Sequence, residues 1–370
     1  MTPNCSDNGM AGREVESPWR PGSEPDLFRN HPALRARAGK ALSAAAAIWR
    51  RVLFRTRVVG ITGSYGKSTA VKLLAAMLGS KHPVNWLGTP NNGRLAGAQT
   101  LLAARPRHRF TVIELGTRTP GSLARSALHV NPDIAAVLAV GRQHTDQFPD
   151  LDSMAREKAA LLNHIRGRRI AVLNGGDPLV RAMASRCRGR VILFGRAPEF
   201  DLWADEIDAT WPERLCFTAH AGGESVRIQT RLAGEHWLDA VLGAIACALA
   251  CGMTLADCAE PLRHVDPVTG RLSVHPLPCG ATVIRDDHNA SFSSMRPALD
   301  LLRSAKAARR ILLAGDVFDS PLGQTQRLEE IGRMAAASAD LVGFVGNRHM
   351  KAAVRSAKEA GMPEIGRAHV

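Results

Sequence analysis

The stretch Val58-Val59-Gly60-Ile61-Thr62-Gly63-Ser64-Tyr65-Gly66-Lys67-Ser68-Thr69 decides the reading of this chain. An apolar run leads into glycines. The glycines lead into Ala70-Val71-Lys72-Leu73-Leu74-Ala75-Ala76-Met77-Leu78, whose apolar spacing is helical. The order is strand, glycine loop, helix. Glycine lets the backbone turn and approach a ligand closely, and successive N–H groups of such a loop converge on an anion. The helix N-terminus adds partial positive charge. Residues Gly63, Ser64, Tyr65, Gly66, Lys67, Ser68 and Thr69 therefore form a candidate cradle for a polyphosphate. In such a cradle Lys67 extends to the β/γ-phosphates and the Ser68 hydroxyl to Mg²⁺. The spacing departs from the common phosphate-loop pattern, because the position of its first glycine holds Ile61.

Outward from the loop, β and α patterns alternate. Strands are expected at Val58–Thr62, Thr111–Leu115, Ile134–Ala139, Ile170–Leu173 and Val191–Phe194, with helices beginning near Ser68, Gly93, Gly121, Leu151 and Asp177. Such alternation implies a parallel sheet covered on both faces. Shorter β segments follow over 200–233, then a long helix, His236–Cys251. A second βα series has strands at Thr282–Arg285, Ile311–Ala314 and Leu341–Val345, with helices near Ser294–Ala307 and Gln324–Ala337. The expected fold class is α/β. A P-loop parallel-sheet ATPase domain over 57–271 precedes an incomplete Rossmann-like α/β domain over 272–363.

Residues 1–56 form a separate segment. Residues 1–30, rich in proline, serine, glutamate and arginine, read as disordered. Ala33–Phe54 is a basic, alanine-rich helical stretch with its apolar bulk at one end. Two readings stay open for it: weak contact with a membrane surface, or docking as a linker helix. At the other end, Glu364-Ile365-Gly366-Arg367-Ala368-His369-Val370 match the translation of a common sequencing adapter, so 364–370 are expected to be foreign read-through. On that reading the second domain is truncated.

The 370 residues carry a net charge of +14, are 45% hydrophobic and only 5% aromatic, so the core is expected to be aliphatic. The basic residues are mostly arginines spread along the chain, without a lysine-rich tract or zinc-finger spacing, so nucleic acid is not an expected partner. No apolar run is long enough to span a bilayer, and Met1–Asp7 has no signal-peptide pattern. The seven cysteines include no CxxC pair, and Cys247 and Cys251 share one helical face as buried thiols. A reduced, cytoplasmic setting fits.

The glycine loop resembles that of the Mur ligases, ATP-dependent ligases that build the peptidoglycan stem peptide. The likeness continues through Thr89-Pro90-Asn91-Asn92, Val112-Ile113-Glu114-Leu115-Gly116, Asn131-Pro132-Asp133, His144, Glu157-Lys158-Ala159 and Asn174-Gly175-Gly176-Asp177. Gly234-Glu235-His236, Gly270-Arg271 and Asp286-Asp287-His288-Asn289-Ala290 complete the ordered set. Glu114-Leu115-Gly116, Asn289-Ala290 with Ser294-Met295, and Leu313-Ala314-Gly315-Asp316 are most similar to the members that add D-alanyl-D-alanine.

The resemblance implies that ATP drives amide formation between a carboxylate acceptor, such as a UDP-muramyl peptide, and an amino acid or dipeptide. It implies catalytic roles for Lys67, Lys158 and His144, and Mg²⁺ held by Ser68, Glu114, His144 and Lys158, the lysine as its carbamate. Arg271, Asp286 and Asn289 would hold ATP across an interdomain cleft, and Thr89, Asn91 and Asn92 would meet the acceptor. Asn174 and Asp177 either order the site or cap the next helix.

Three departures stand out. The family's His-Asn-x-x-Asn segment reads His236-Trp237-Leu238-Asp239, with both asparagines gone, Ser291-Phe292 replaces Asn-Pro, and residues 1–56 do not resemble a uridine-nucleotide-binding domain. Two further readings therefore stay open: a Mur-like ligase of another polymer or small molecule, and a non-catalytic nucleotide-binding remnant.

Overall fold

The computed structural model describes residues 32–88, 93, 95–142, 147–288, 290–317, 320, 322–346, 348–362 and 365–368. The expected disorder of residues 1–30 and the expected roles of Thr89, Asn91, Asn92, His144 and Asn289 lie outside the described residues.

Helix α1 (Pro32–Val52) leads into β1 (Arg57–Thr62), the glycine loop and α2 (Lys67–Gly79). Then follow β2 (Val84–Asn85), α3 (Ala96–Ala103), β3 (Phe110–Glu114), α4 (Ser122–Val130), β4 (Ile134–Val137), α5 (Leu151–Ala159) and β5 (Arg166–Asn174). The domain continues through α6 (Pro178–Arg181), β6 (Arg188–Gly195), β7 (Leu202–Asp208), β8 (Cys216–Ala221), β9 (Glu224–Gln229), α7 (Leu238–Ala250) and α8 (Leu255–Leu262). These strands form one sheet in the order β2-β3-β1-β4-β5-β6-β7-β8-β9. Pairing is parallel from β2 to β7 and antiparallel from β7 to β9.

Both faces of the parallel part are covered, and the side chains divide with period two. Val59, Ile61, Ile134, Ala136, Ile170 and Val172 enter one core with α2 and α7. Val58, Ala135, Val137, Ala171 and Leu173 enter a second with α1, α3 and α4. This is why the strands read as unbroken apolar runs. Helix α7 is nearly all small and apolar, and it lies close to the sheet. A Cβ at Gly243 would fall 2.4 Å from Leu138 Cδ2 and 3.2 Å from Phe194 Cζ, so a larger residue there would make these side chains shift.

In the C-terminal domain the structure departs from one uninterrupted βα series. β11 (Thr282–Arg285) pairs antiparallel with β10 (Ser273–Pro276) in a separate two-stranded sheet. The cause is local: Gly280 takes φ +84°, and the Leu277 N–H donates to the Ala281 carbonyl at 2.8 Å, closing a turn. After α9 (Phe292–Ser304), strands β12 (Ile311–Ala314), β13 (Leu341–Val345) and β14 (Ile365–Ala368) form a parallel sheet. Helices α10 (Gln324–Ala336) and α11 (Lys351–Glu359) connect them, and Leu328, Ile331, Val342, Phe344, Ala353 and Ala357 fill the core of this domain. Residues 365–368, within the segment read as foreign, lie along β13.

Candidate active site

The carboxyl ends of β1, β3, β4 and β5 meet at one edge of the sheet, where open α/β folds place ligands. The loop after β1 is held in a fixed shape. Ser64 N–H donates to the Ala139 carbonyl at 2.8 Å, and Ser64 Oγ accepts from Gly141 N–H at 2.8 Å. Gly66 caps α2 in the left-handed region at φ +77°, and a Cβ there would stand 2.9 Å from Ala240 Cβ. The position therefore needs glycine on two counts. Ala240 thus sets α7 directly against the loop.

Lys67 is the first residue of α2. Its Nζ donates to the Gly63 carbonyl at 2.7 Å, folded over its own loop. Burial lowers its pKa; nearby Glu114 opposes this and Arg271 reinforces it. Ser68 Oγ donates to Glu114 Oε2 at 2.8 Å, in a buried contact between α2 and the last residue of β3. Lys158, on α5, is 1% exposed. Its pKa is driven well below the usual lysine value, first by burial and then by Lys67. Arg271 comes from the segment joining the domains, and its buried Nε finds no hydrogen-bond partner among the described residues. Lys67 thus lies close enough to Glu114, Arg271 and Lys158 for its charge to be felt by, or to feel, each of them.

The neighbour of Lys158 has a different task. Glu157 Oε2 accepts from Gly121 N–H at 2.6 Å, and its Oε1 accepts from Leu123 N–H at 2.7 Å. It caps α4 from another helix, satisfying amides that have no partner within α4. Asp177 does both things left open for it. Oδ1 accepts from Leu179 N–H, capping α6, while Oδ2 accepts from Val140 N–H at 2.7 Å in the loop after β4. Asn174 bridges Leu138 and Gly176 at the same edge.

The loop, Glu114, Lys158 and Arg271 line one cleft of about 650 Å³ between the two domains. Gly63–Ser68, Glu114, Lys158, His236, Trp237 and Asp239 face it from the central domain, and Arg271, Asp286, Ser291 and Ser294 from the other side. Burial pushes the Asp286 carboxyl up, and likewise that of Asp239. His236 is lowered to about 4 by burial. Sequence reasoning assigned no site role to Ser291 and Ser294. They form the capping box of α9, and the Ser-x-x-Ser spacing before an apolar run was the available signal. A second cleft of about 470 Å³ shares Ser68 and Glu114 and is lined by Lys72, Trp86, Thr100 and Arg285.

The residues present suit a magnesium nucleotide. The glycine cradle leaves no room for a Cβ, the cations match polyphosphate charge, and Ser68 and Glu114 offer the oxygen ligands that Mg²⁺ prefers. Among the described residues no group of three or more His, Cys, Asp or Glu is arranged to hold a metal by itself. Such a site relies on phosphate and water as co-ligands.

Fold and cleft together define a two-domain P-loop nucleotide-binding protein. Models of the Mur ligase middle domain and of the Mur ligase glutamate ligase domain match residues 61–248 and 270–369, and the chain belongs to the Mur ligase family. The UDP-N-acetylmuramoyl-tripeptide–D-alanyl-D-alanine ligase of Mycobacterium tuberculosis is 32% identical over 284 residues, covering 75% of this chain and 56% of that protein. The Bacillus subtilis ligase of the same name is 26% identical, over 71% of this chain and 57% of its own length. The chain thus spans little more than half the length of these relatives. Among solved structures, MurF from Acinetobacter baumannii aligns with a TM-score of 0.78 at 25% identity, over 89% of this chain and 71% of that one. A MurF ligase from Thermotoga maritima in complex with ADP shares the fold, with a TM-score of 0.74 at 18% identity, over 90% of this chain and 80% of that one.

Proposed function

We propose that the protein is an ATP-dependent carboxylate–amine ligase that adds D-alanyl-D-alanine to a UDP-muramyl tripeptide in peptidoglycan precursor synthesis. The observation that carries this reading is the convergence of Lys67, Ser68, Glu114, Lys158 and Arg271 on one interdomain cleft. Relatives that align over 75% and 71% of this chain bear the name of that reaction.

In the proposed reaction an acceptor carboxylate oxygen attacks the γ-phosphorus of ATP. The bond to the bridging oxygen breaks, and ADP leaves. The amine then attacks the acyl carbon of the acyl phosphate, loses a proton, and inorganic phosphate departs. Phosphoryl transfer of this kind depends on positioning and charge neutralisation. Lys67 would leave the Gly63 carbonyl for the β/γ-phosphates, and Arg271 would neutralise charge from the other domain. Ser68 and Glu114 would hold Mg²⁺, which when bound supplies charge stabilisation for the transferring group. His144 and Asn289 keep the metal and nucleotide roles that the resemblance assigned them, and Thr89, Asn91 and Asn92 the acceptor role. Trp86 and Leu87, just before Thr89 in the chain, line the smaller cleft that meets Ser68 and Glu114, a route for the acceptor.

Lys158 would act as a carbamate. The lowered pKa favours the neutral amine, the form that attacks CO₂, with release of one proton. The product places an anion beside Lys67, where a protonated Lys158 amine would be repelled.

A second reading, a ligase of another carboxylate, is favoured by the lack of resemblance between residues 1–56 and a uridine-nucleotide-binding domain. The test is ADP release and product mass under single turnover, with UDP-N-acetylmuramoyl tripeptide and D-alanyl-D-alanine. The extended muramyl peptide is the expected product. ADP release only with other carboxylates would establish the second reading. ATP binding without ADP release for any carboxylate would overturn both in favour of a non-catalytic nucleotide-binding remnant.

A further inference from the structure

The outward face of α1 is used by nothing in the nucleotide cleft. Its inner face is fastened to the central domain. Ala46 and Leu53 are buried in the core beneath, Trp49 Nε1 donates to the Ala104 carbonyl at 3.0 Å, and Arg50 pairs with Asp133 at 2.8 Å. Asp133 also accepts from Val58 N–H at 2.8 Å, so the helix is tied to β1 through one carboxylate. The helix is therefore docked, and its outer face has a fixed composition.

That face combines exposed apolar and cationic side chains. Ile48 is 63% exposed, Val52 46% and Phe54 77%. Arg37, Lys40, Arg51 and Arg55 are exposed beside them, and the Arg55 guanidinium lies 5.5 Å from the Phe54 ring centroid. From Pro32 to Arg57 the chain contains no acidic residue. Leu128, on the helix α4 that shares the core with α1, is exposed as well.

We propose that this face seats the protein on an anionic phospholipid surface. Ile48, Val52 and Phe54 would enter the boundary between headgroups and acyl chains, while Arg37, Lys40, Arg51 and Arg55 meet lipid phosphates. Charge complementarity selects this occupant. A second copy pairing through the same face would set these cations against one another without an acidic partner on the segment. None of the described helices is long and apolar enough to cross a membrane, so the contact is peripheral. The patch is separate from the cleft, and the proposal does not depend on the ligase reading.

The test uses the 370-residue chain with sedimenting vesicles of phosphatidylglycerol and phosphatidylcholine, compared with phosphatidylcholine alone. Binding is expected only to the anionic vesicles, and I48S/F54S and R51E/R55E are each expected to weaken it about tenfold or more. R186E/R188E makes the same charge change on another exposed element and is expected to leave binding within about twofold. Thermal melting confirms that each variant folds. Phe54→Trp adds a direct readout: the emission of this variant should be quenched by brominated acyl chains beyond the background of the six native tryptophans. Equal loss in the control, binding to neutral vesicles alike, no quenching beyond that background in vesicle-bound Phe54→Trp, or no vesicle binding would each overturn the proposal. So would a dimer in light scattering that I48S/F54S dissolves, since the face would then be a self-association surface.

Discussion

Ser68 and Glu114 stand 46 positions apart in the chain, yet Ser68 Oγ donates to Glu114 Oε2 over 2.8 Å in a buried contact. Parallel pairing of β1 with β3 brings them together, Ile61 lying opposite Glu114 in the register. Two oxygen-bearing side chains are thereby positioned before any ligand arrives. Glu114→Ala is expected to abolish the strengthening of ATP binding by Mg²⁺. Calorimetry with Mg²⁺ and with a chelator checks this, and an unaltered magnesium dependence would remove Glu114 from the metal site.

Lys67→Ala is expected to weaken ATP binding tenfold or more. A hydrogen bond to a charged group contributes about 1.5–3 kcal/mol, and about 1.4 kcal/mol is a tenfold change. Part of that strength is lost in breaking the bond from Lys67 Nζ to the Gly63 carbonyl. Equal affinities of parent and variant would show that the loop binds phosphate through its backbone alone.

Lys158→Ala is expected to abolish phosphate release while leaving ATP affinity nearly unchanged. Short carboxylic acids at millimolar concentration should partly restore turnover by occupying the space of the carbamate. A fully active variant would reduce Lys158 to a buried structural amine.

Glu157→Ala is expected to destabilise the protein by about 2–4 kcal/mol, because two helix N–H groups lose a charged acceptor in a buried place. Urea unfolding measures it. A loss under about 0.5 kcal/mol would mean that water replaces the carboxylate, as at an ordinary surface position.

Stability should fall between pH 6.5 and 4 through His236. Its folded pKa, about 4, lies below the unfolded value of about 6.5. The unfolded chain therefore binds the proton first, and stability declines as pH drops across that window. His236 is solvent-exposed at the rim of the cleft, so screening by water keeps the effect under about 1 kcal/mol. Urea unfolding at a series of pH values should show this segment of slope in the parent and its loss in His236→Leu. An identical slope in both would place the titration elsewhere.

Much of the cleft was legible without coordinates because its signals are short. A glycine loop between strand and helix marks Gly63–Thr69, and a carboxylate ending an apolar run marks Glu114. Other groups were not legible for a physical reason: their partners are remote. Nothing near Glu157 in sequence indicates that its carboxylate caps a helix beginning at Ser122. Asp177 shows its local cap, but its bond to Val140 depends on β4 and β5 being neighbours. The hairpin of β10 and β11 was overlooked although Leu277-Pro278-Cys279-Gly280 is a local turn signal, because the βα alternation on either side suggested a longer series.

The binary pattern of the chain settles that a two-faced parallel sheet forms and that a phosphate loop follows its first strand, since burial on both faces demands continuous apolar runs and the loop demands glycine. The strand order β2-β3-β1-β4-β5, the closeness of Lys67, Lys158 and Arg271, and the docking of α1 through Arg50 and Asp133 arise only when the layers pack. Strand neighbours are selected by mutual burial over long stretches of chain, and pKa values follow from the burial that results. No local run of residues encodes either one.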